Sequence, residues 1–256
     1  MKHFFIITNP FKDRELETTT EVMEFLADKG CTYQVKIAAE IQEESNRYTD
    51  AAEIPADTEC ILVLGGDGTL IEAARDTMEL DIPLLGINLG SLGFLAEVEK
   101  SGIRHALSLL LQDQYQTESR MMLDGLLVRG QTLVERSHAL NDIVITRNGP
   151  MQIIHFHIYV NGQFLNEYNA DGVILSTPTG STGYNLSAGG PIVEPGAELI
   201  VITPVCPHTL NTRSVVLSGA DEVMIEMAPW KKDVSFRAQV NFDGGHGAAL
   251  EMGDKI

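Results

Sequence analysis

The stretch that most constrains the fold of this chain is residues 60–78, which read CILVLGGDGTLIEAARDTM. Its residues 61–64 form a short, continuous apolar run, which is typical of a strand buried on both faces of a parallel sheet. After residues 65–69 the apolar period changes, and the next apolar or small residues fall on one face of a helix: Leu70, Ala73, Ala74 and Thr77. The stretch therefore predicts a strand–loop–helix unit.

The glycine-rich loop GGDGT at residues 65–69 favours a phosphate ligand. Glycines let the backbone approach a ligand closely, and the following helix offers unpaired N–H groups and a positive dipole end. Asp67 is unusual there, because phosphates repel a carboxylate unless it binds a cation or accepts a proton from the attacking hydroxyl. The alternative is that Asp67 and Thr69 cap the helix and the glycines only form a tight turn. The loop lacks the residues of a P-loop and the spacing of a dinucleotide-binding turn.

The charge balance excludes several classes of partner. Lys and Arg number 18 against 36 Asp and Glu, giving a formal net charge of −18, so we predict no nucleic-acid partner and no membrane partner. An anionic substrate must then be held by backbone N–H groups, a few local cations or a metal. The scattered Cys31, Cys60 and Cys206 form no disulfide or zinc pattern, which favours a cytoplasmic protein. No apolar stretch could span a bilayer, and the run at residues 4–7 is too short for a signal peptide.

Alternating strands and helices predict a doubly wound, Rossmann-like α/β domain over residues 1–100. The predicted strands are residues 3–8, 32–37, 61–64 and 83–87, and the predicted helices are residues 13–29 and 70–77. One more helix is predicted at residues 102–111, before the pattern changes. The acidic residues 40–59 are interpreted as a solvated surface loop or weak helix. In a sheet of this kind, ligands bind beyond the carboxyl ends of the strands, where both the glycine loop and residues 88–90 fall.

Residues 101–256 predict an all-β, antiparallel, sandwich-like domain, with the boundary near residue 100. Strand-like segments follow one another with little helix between them: residues 122–128, 139–146, 153–160, 172–176, 200–204, 214–217, 222–227 and 235–242. Turn sequences at residues 148–150, 161–162 and 243–245 separate several of them. Such a succession is typical of a sandwich or barrel.

Two polar segments of this second part predict a sugar or phosphate site. Residues 171–191, DGVILSTPTGSTGYNLSAGGP, offer hydroxyls and glycines for a ribose or phosphate, and Tyr184 for stacking on a base. The alternative is a long polar surface loop. Asn141 and Asp142, at the entry to a strand, could grip two sugar hydroxyls, although such a pair is often a simple turn.

Two other groups of reactive side chains are interpreted as structural, and no metal-binding residue is predicted. His155 and His157 lie on one face of a strand and would need a further ligand that the sequence does not identify. We interpret them as a half-solvated face whose other side, formed by Ile154, Phe156 and Ile158, is core. Cys206 and His208 flank a proline and lack an orienting acid, which indicates a packed turn.

Together these segments resemble the bacterial NAD kinase family. The resemblance rests on GGDGT at 65–69, NLGSLGFLAEV at 88–98, LND at 140–142, DGVILSTPTGSTGYNLSAGGPIV at 171–193 and CPHTLNTR at 206–213. It covers nearly the whole chain in the expected order. GGDGT by itself is not specific, since diacylglycerol-type lipid kinases and 6-phosphofructokinases carry related loops, whereas the long hydroxyl loop is specific.

The resemblance implies transfer of a phosphoryl group from ATP or polyphosphate to the 2′-hydroxyl of the adenosine ribose of NAD, forming NADP, with Mg²⁺ or another divalent metal carried with the donor. It implies a homodimer or homotetramer in which a neighbouring subunit helps to complete the site. The first domain would supply the phosphate cradle and the second the nucleoside pocket. The alternatives are a lipid or sugar kinase that shares only GGDGT, and a nucleotide-binding sensor without catalysis.

Carried over to this sequence, the resemblance makes Asp67 the base, or metal-linked carboxylate, at the 2′-hydroxyl. The implied NAD-binding residues are Gly68, Leu92, Phe94, Asn141, Asp142, Asp171, Thr179, Thr182, Gly183, Tyr184, Ser187 and Asp243. Two departures from the family pattern stand out. Gly183 replaces the usual alanine, which is expected to loosen the loop around the base. Family members usually continue beyond the position of Ile256 with more strand and a helix, so a truncated or missing closure is expected to reduce stability and activity.

Overall fold

The computed structural model describes residues 1–37, 49–90, 93–149, 153–209, 213–229 and 237–256. The chain divides into two compact units, Met1–Thr117 and Glu118–Ile256. The change from alternating strands and helices to successive strands predicts the division near residue 100. The division lies after the last helix of the first unit. The reason is that Ile103 and Leu107 of this helix are buried in the same core cluster as Phe4.

The described residues of the first unit form five strands and three α-helices. They are β1 (His3–Thr8), α1 (Glu17–Asp28), β2 (Thr32–Ile37), β3 (Cys60–Gly65), α2 (Asp67–Thr77), β4 (Leu84–Asn88), β5 (Val98–Glu99) and α3 (Ile103–Leu111). The strands pair in the order β2-β1-β3-β4-β5, and every pair is parallel. The α/β prediction is confirmed, although the short β5 is not predicted from the sequence.

The sheet is covered on both faces. Phe4 and Ile6 of β1 belong to a cluster with Val22 of α1 and Leu107 of α3, whereas Phe5 of β1 lies in a second cluster on the other face. The second cluster includes Ala73 of α2. Because successive side chains of a strand point to opposite faces, this division confirms the doubly wound architecture.

The order of strands reverses between β1 and β3. The chain passes from β1 to the edge strand β2 and then returns to place β3 on the other side of β1. In open α/β sheets, ligands bind at the carboxyl ends of the two strands that flank such a switch point. The glycine loop follows β3 directly, so the topology places it at this position.

Helix α1 begins later than predicted, because Asp13 turns the chain before it. The Asp13 carboxylate accepts hydrogen bonds from the backbone N–H groups of Thr18 and Thr19, at 3.0 and 2.7 Å. The helix ends as predicted at Gly30, whose φ of +69° is the left-handed conformation common after a helix.

The second unit is almost entirely β-structure. Its strands are β6 (Leu123–Arg129), β7 (Thr132–Ala139), β8 (Asp142–Arg147), β9 (Ile154–Val160), β10 (Gln163–Ala170), β11 (Gly172–Ser176), β12 (Leu199–Val205), β13 (Val215–Ser218), β14 (Val223–Met227), β15 (Ala238–Phe242) and β16 (His246–Leu250). In the part of this unit that the structure describes, one short α-helix, α4 (Tyr184–Ser187), interrupts them. The strands form a six-stranded sheet β13-β12-β11-β8-β15-β16, a three-stranded sheet β10-β9-β14 and the pair β6-β7.

Every strand pair in this unit is antiparallel, and a single core cluster joins the two larger sheets. Ile145 and Val173 of the six-stranded sheet and Phe156 and Ile158 of the three-stranded sheet all belong to that cluster. The all-β, sandwich-like prediction is confirmed. Three strands, β7, β10 and β16, are not predicted, and the strand predicted over 139–146 begins only at Asp142.

Within the described ranges, the structure contains no helix with the length and apolar character needed to cross a membrane.

Candidate active site

The carboxyl ends of β1, β3 and β4 are tied together by hydrogen bonds. The N–H of Asn9, just after β1, donates to the carbonyl of Leu64 at 2.9 Å, and the N–H of Leu89 donates to the carbonyl of Gly65 at 2.7 Å. The Asn9 amide also donates to the hydroxyl of Thr69 at 3.2 Å. The three loops at the switch point therefore form one continuous surface.

Side chains pack closely on two glycines of the loop, Gly65 and Gly66. Gly65 and Gly66 do not have positive φ angles, so neither requires glycine for its backbone conformation. A Cβ on Gly65 would collide with the Thr69 side chain, and one on Gly66 would collide with the Lys12 ammonium. Gly68 is exposed, and a Cβ there would meet nothing within 4 Å. The interpretation that the glycines only form a tight turn therefore stays an alternative.

Lys12 brings a cation to this loop, and this role is not evident from the sequence. Its ammonium lies against the backbone of Gly66, and it would be 3.4 Å from a Cβ on Gly90. The side chain is exposed, so the charge is also open to solvent. The only signal in the sequence is that Lys12 closely follows the end of a predicted strand, which is a weak indication.

The Asp67 carboxylate binds the chain at residues 94–95. Oδ2 accepts the N–H of Phe94 at 2.9 Å, and Oδ1 accepts the N–H of Leu95 at 3.4 Å. The N-cap of α2 is Gly66, and no side chain caps the helix. Helix capping by Asp67 and Thr69 is therefore wrong: Asp67 orients a neighbouring loop, and Thr69 accepts from Asn9.

The residues around this contact agree with a fixed carboxylate. A Cβ on Gly93 would collide with the Asp67 carboxylate, so glycine is required there by close approach. The Phe94 side chain is 76% exposed, while its own N–H holds Asp67. Leu92, the other apolar residue implied to contact a base, lies outside the described residues.

In the second unit, Asp243 holds the turn that contains Asn141 and Asp142. Its Oδ2 accepts the N–H of Leu140 at 2.8 Å. Its Oδ1 accepts the N–H groups of Asn141 and Asp142, at 2.8 and 3.0 Å. Asp243 lies at the β15–β16 turn, so these three bonds join that hairpin to the entry of β8.

The two side chains of this turn have distinct environments. Burial, followed by the negative charge of Asp243, raises the pKa of Asp142 to about 7. The side-chain carbonyl oxygen of Asn141 is buried and has no hydrogen-bond partner among the described residues. A buried polar atom of this kind indicates a place where a ligand or water would bind.

Part of the hydroxyl loop is interior structure, and the surface-loop interpretation is wrong for that part. Ser176, Thr177 and Ser181 are fully buried. The Thr177 hydroxyl donates to the carbonyl of Leu140 at 2.5 Å and accepts the N–H of Gly180 at 3.0 Å. The Ser181 hydroxyl accepts the N–H of Val193 at 3.0 Å. These hydroxyls bind the protein itself.

Asn185 holds the loop from inside, and this role is not evident from the sequence. It is fully buried, and its amide nitrogen donates to the carbonyls of Ser181 and Pro191 at 3.0 and 2.9 Å. Its oxygen accepts the hydroxyl of Thr203 on β12 at 2.7 Å. A Cβ on Gly190 would collide with the Asn185 amide.

The remaining residues implied to bind NAD lie on the outer side of this loop, apart from Thr179. Gly183, Tyr184 and Ser187 are exposed, Thr182 is partly exposed, and Thr179 is buried with its hydroxyl 3.4 Å from Arg120. The loop packs on the Asn141 turn, since a Cβ on Gly180 would collide with the Asn141 carbonyl. The structure thus brings residues 179–187 together with Asn141, Asp142 and Asp243.

Asp171 lies at the other end of β11. Ser176 pairs with Asp142, whereas Gly172, next to Asp171, pairs with Thr146. At about 3.4 Å per residue, the length of β11 separates Asp171 from the hydroxyl loop by roughly 15 Å. There Asp171 forms an ion pair with Arg147, with 3.1 Å between the carboxylate oxygen and Nε. The structure does not bring Asp171 together with the other implied residues.

Two family models match the chain. Residues 4–115 match the ATP-NAD kinase N-terminal domain, and residues 140–256 match the ATP-NAD kinase C-terminal domain.

Similar proteins carry the same description. The NAD kinase of Lachnospira eligens is 47% identical over 267 residues, covering 100% of this chain and 91% of the relative. The NAD kinase of Acetivibrio thermocellus is 41% identical, covering 98% and 86%. A crystal structure of yeast NADH kinase complexed with NADH matches with a TM-score of 0.86 and 25% identity, covering 100% of this chain and 77% of that one. An Archaeoglobus fulgidus NAD kinase in complex with ATP, 22% identical with a TM-score of 0.69 and covering 98% and 88%, shares the fold.

Proposed function

The chain belongs to the NAD kinase family, and we propose that it transfers a phosphoryl group from ATP or inorganic polyphosphate to the 2′-hydroxyl of the adenosine ribose of NAD, forming NADP. The observation that carries the proposal is the fixed carboxylate of Asp67, at the carboxyl end of a parallel sheet and beside a glycine loop. We assign the handling of phosphate to the first unit and the recognition of the nucleoside to the second.

In the chemical step, Asp67 accepts the proton of the 2′-hydroxyl as that oxygen attacks the γ-phosphorus of the donor. The new O–P bond forms while the bond from phosphorus to the bridging oxygen breaks, and ADP leaves with its electron pair. The N–H groups of Phe94 and Leu95 orient the carboxylate. Each oxygen keeps a lone pair for the incoming proton, because a carboxylate has about four acceptor positions.

Lys12 and the glycine loop are proposed to bind the donor phosphates. Backbone N–H groups at the start of α2 and the Lys12 ammonium both attract negative oxygens, and open space at Gly68 leaves room for them. The chain carries a net charge of −18, so a local cation is needed to hold an anion there. The oxygens of Asp67 are ligands of the type that Mg²⁺ prefers, and Mg²⁺ supplied with the donor would neutralise the transferred group.

In the second unit, the Asn141–Asp142 turn is proposed to bind the sugar and the nicotinamide side of NAD. The side-chain oxygen of Asn141, which has no hydrogen-bond partner among the described residues, is available to accept a hydrogen bond from a donor group of the ligand. Tyr184 and Ser187, which are exposed on the outer face of the hydroxyl loop, are proposed to contact a base and hydroxyls. Asp243 acts through the turn as a positioning residue, because its oxygens accept three backbone N–H groups.

Asp171 is proposed to complete the site of a neighbouring subunit. Its position at the far end of β11 argues against a role beside Asn141 of the same chain. A homodimer or homotetramer in which a partner contributes Asp171 would give this residue a role. We also propose that the enzyme works in the cytoplasm, where NAD and ATP are available.

The direct test is formation of NADP from NAD and Mg²⁺ with ATP or polyphosphate as donor. We expect NADP with at least one donor, and no phosphorylation of diacylglycerol or sugars under the same conditions. Binding of NAD without any NADP would contradict the proposal and favour a nucleotide-binding sensor.

A further inference from the structure

Three potential metal ligands lie together on the β9–β10 hairpin. His155 and His157 are two residues apart on β9, so they share one face of the strand. In the ladder, His157 pairs with Glu167 and His155 pairs with Asn169. One ligand atom from each of His155, His157 and Glu167 lies within 4.8 Å of the other two. Glu167 is the further ligand that the sequence does not identify.

The ring of His155 is held through its Nδ1. This atom lies 3.1 Å from the backbone carbonyl of Tyr168 and 3.0 Å from the side-chain oxygen of Asn169. A carbonyl can only accept, so Nδ1 carries the hydrogen and the lone pair lies on Nε2. Histidines that bind metals commonly donate their other ring N–H to a backbone carbonyl, which fixes the tautomer and the ring. His155 is also buried, at 9% exposure, which restricts its movement.

His157 and Glu167 also form an ion pair. His157 Nε2 lies 3.6 Å from Glu167 Oε2, with the Glu167 side chain 62% exposed. Exposed pairs of this kind contribute little to stability. When two neighbouring residues bind one ion, their ligand atoms lie at separations similar to the 3.6 Å between His157 and Glu167.

We propose that His155, His157 and Glu167 form a binding site for a divalent transition-metal ion of the zinc class. Two imidazoles and one carboxylate are a donor set that zinc accepts, with water in the fourth position, whereas Mg²⁺ and Ca²⁺ prefer oxygen ligands. The site belongs to the three-stranded sheet, while Asn141 and Asp142 lie at the entry to a strand of the six-stranded sheet. The ion would fasten β9 to β10, and this role does not depend on the proposed kinase activity.

The test is zinc binding by the full chain after metal removal. Equilibrium dialysis followed by elemental analysis is carried out without nucleotide and with excess Mg²⁺, which occupies sites built from oxygen ligands. We expect one zinc ion per wild-type chain. His157→Asn and Glu167→Gln should each weaken zinc binding by about 10- to 100-fold or more, because each loses a ligand.

His138→Asn is the matched control. His138 lies on β7 beside Asp124, with 3.3 Å between its Nε2 and a carboxylate oxygen, and it is outside the cluster. This variant should bind zinc as the wild type does. A rise in melting temperature with zinc, present in the wild type and His138→Asn but absent in Glu167→Gln, would support the site independently.

The proposal is overturned if the wild type binds no zinc, or if Glu167→Gln binds it with wild-type affinity. Glu167 is exposed, so its amide variant should fold normally, and circular dichroism checks this. The zinc affinity of Glu167→Gln therefore tests the proposal even if a histidine variant fails to fold.

Discussion

The carboxylate of Asp67 accepts the backbone N–H of Phe94 at 2.9 Å, so the proposed catalytic base is fixed by a loop that follows the next strand of the sheet. This contact changes how a substitution at Asp67 must be interpreted. An amide can accept one of the two N–H groups but would present its own NH₂ to the other. Asp67→Asn therefore removes the base and also weakens the hold on residues 94–95.

For Asp67→Asn we expect kcat to fall by about 10²- to 10⁴-fold, because general-base assistance is typically of that size, with a smaller rise in KM for NAD from the weakened hold on residues 94–95. Gly93→Ala keeps the carboxylate but pushes it aside, so it should lower kcat less. Measurement of kcat, KM for NAD and the Mg²⁺ dependence separates the roles. If raised Mg²⁺ restores the rate of Asp67→Asn, the residue holds the metal instead.

The control for these variants is Asp81→Asn. Asp81 is exposed and has a positive φ of 51°, which asparagine also tolerates, so this change should leave turnover unaltered. Turnover of Asp67→Asn close to that of the control would contradict both chemical roles of Asp67.

Lys12→Gln is expected to raise KM for the phosphate donor by about 10- to 100-fold, since a charge-assisted hydrogen bond contributes about 1.5–3 kcal/mol. KM for NAD should change much less. Lys100→Gln, which alters a side chain that is 58% exposed, is the matched control. An unchanged KM for ATP and for polyphosphate would remove Lys12 from the donor site.

Asp142 should make the stability of the protein depend on pH. Its pKa is raised from 3.8 to about 7 by burial and by Asp243, so the folded protein keeps a proton that the unfolded chain loses near pH 4. This stabilisation is complete below pH 4 and is lost as the pH rises through 7. Between pH 5 and 8, the free energy of unfolding should therefore fall in the wild type, on the order of a few kcal/mol, but not in Asp142→Asn.

Denaturant unfolding at a series of pH values measures this difference. Asp113→Asn is the control, because the Asp113 side chain is 75% exposed and its positive φ suits asparagine. A wild-type curve parallel to that of Asp142→Asn would show that Asp142 titrates normally.

Asp171 gives a prediction about assembly. If it serves a neighbouring subunit, Asp171→Asn and Asp67→Asn should each have low activity alone. Mixing and reassembling the two variants should restore about a quarter of the wild-type activity in a dimer, since half of the dimers are mixed and each contains one complete site. If the activity of the reassembled mixture equals the mean of the activities of the two variants alone, a role of Asp171 across subunits is refuted.

The sequence predicts most of the fold because buried strands carry a clear apolar signal. All six residues of β3 are buried, and so are all five of β11. The strands that are not predicted lack that signal. In β10, five consecutive residues from Gln163 onward are exposed, and in β7 only Ala139 is fully buried. Backbone pairing holds such strands in place, and a single sequence does not reveal the partner strand.

The candidate site was predictable as a set of residue types but not as a set of contacts. The sequence identifies Asp67 from its unusual place among glycines, but the bond to Phe94 joins residues far apart in the chain. The roles of Lys12 and Asn185 are not evident from the sequence for the same reason: each role depends on the backbone segment that the side chain contacts in the fold. Asp171 is grouped with the hydroxyl loop in the sequence, although strand β11 separates them.

The hydrogen bonds of Asn185 divide the hydroxyl loop into a scaffold and a variable face. Ser181 and Asn185 are held within the protein, so the loop is ordered on folding, and ligand binding need not pay the entropic cost of ordering it. Tyr184 and Ser187 are exposed on that scaffold. Substitutions at Tyr184 and Ser187 should therefore change the nucleotide preference with little loss of stability, whereas substitutions at Asn185 should disrupt the conformation of the loop.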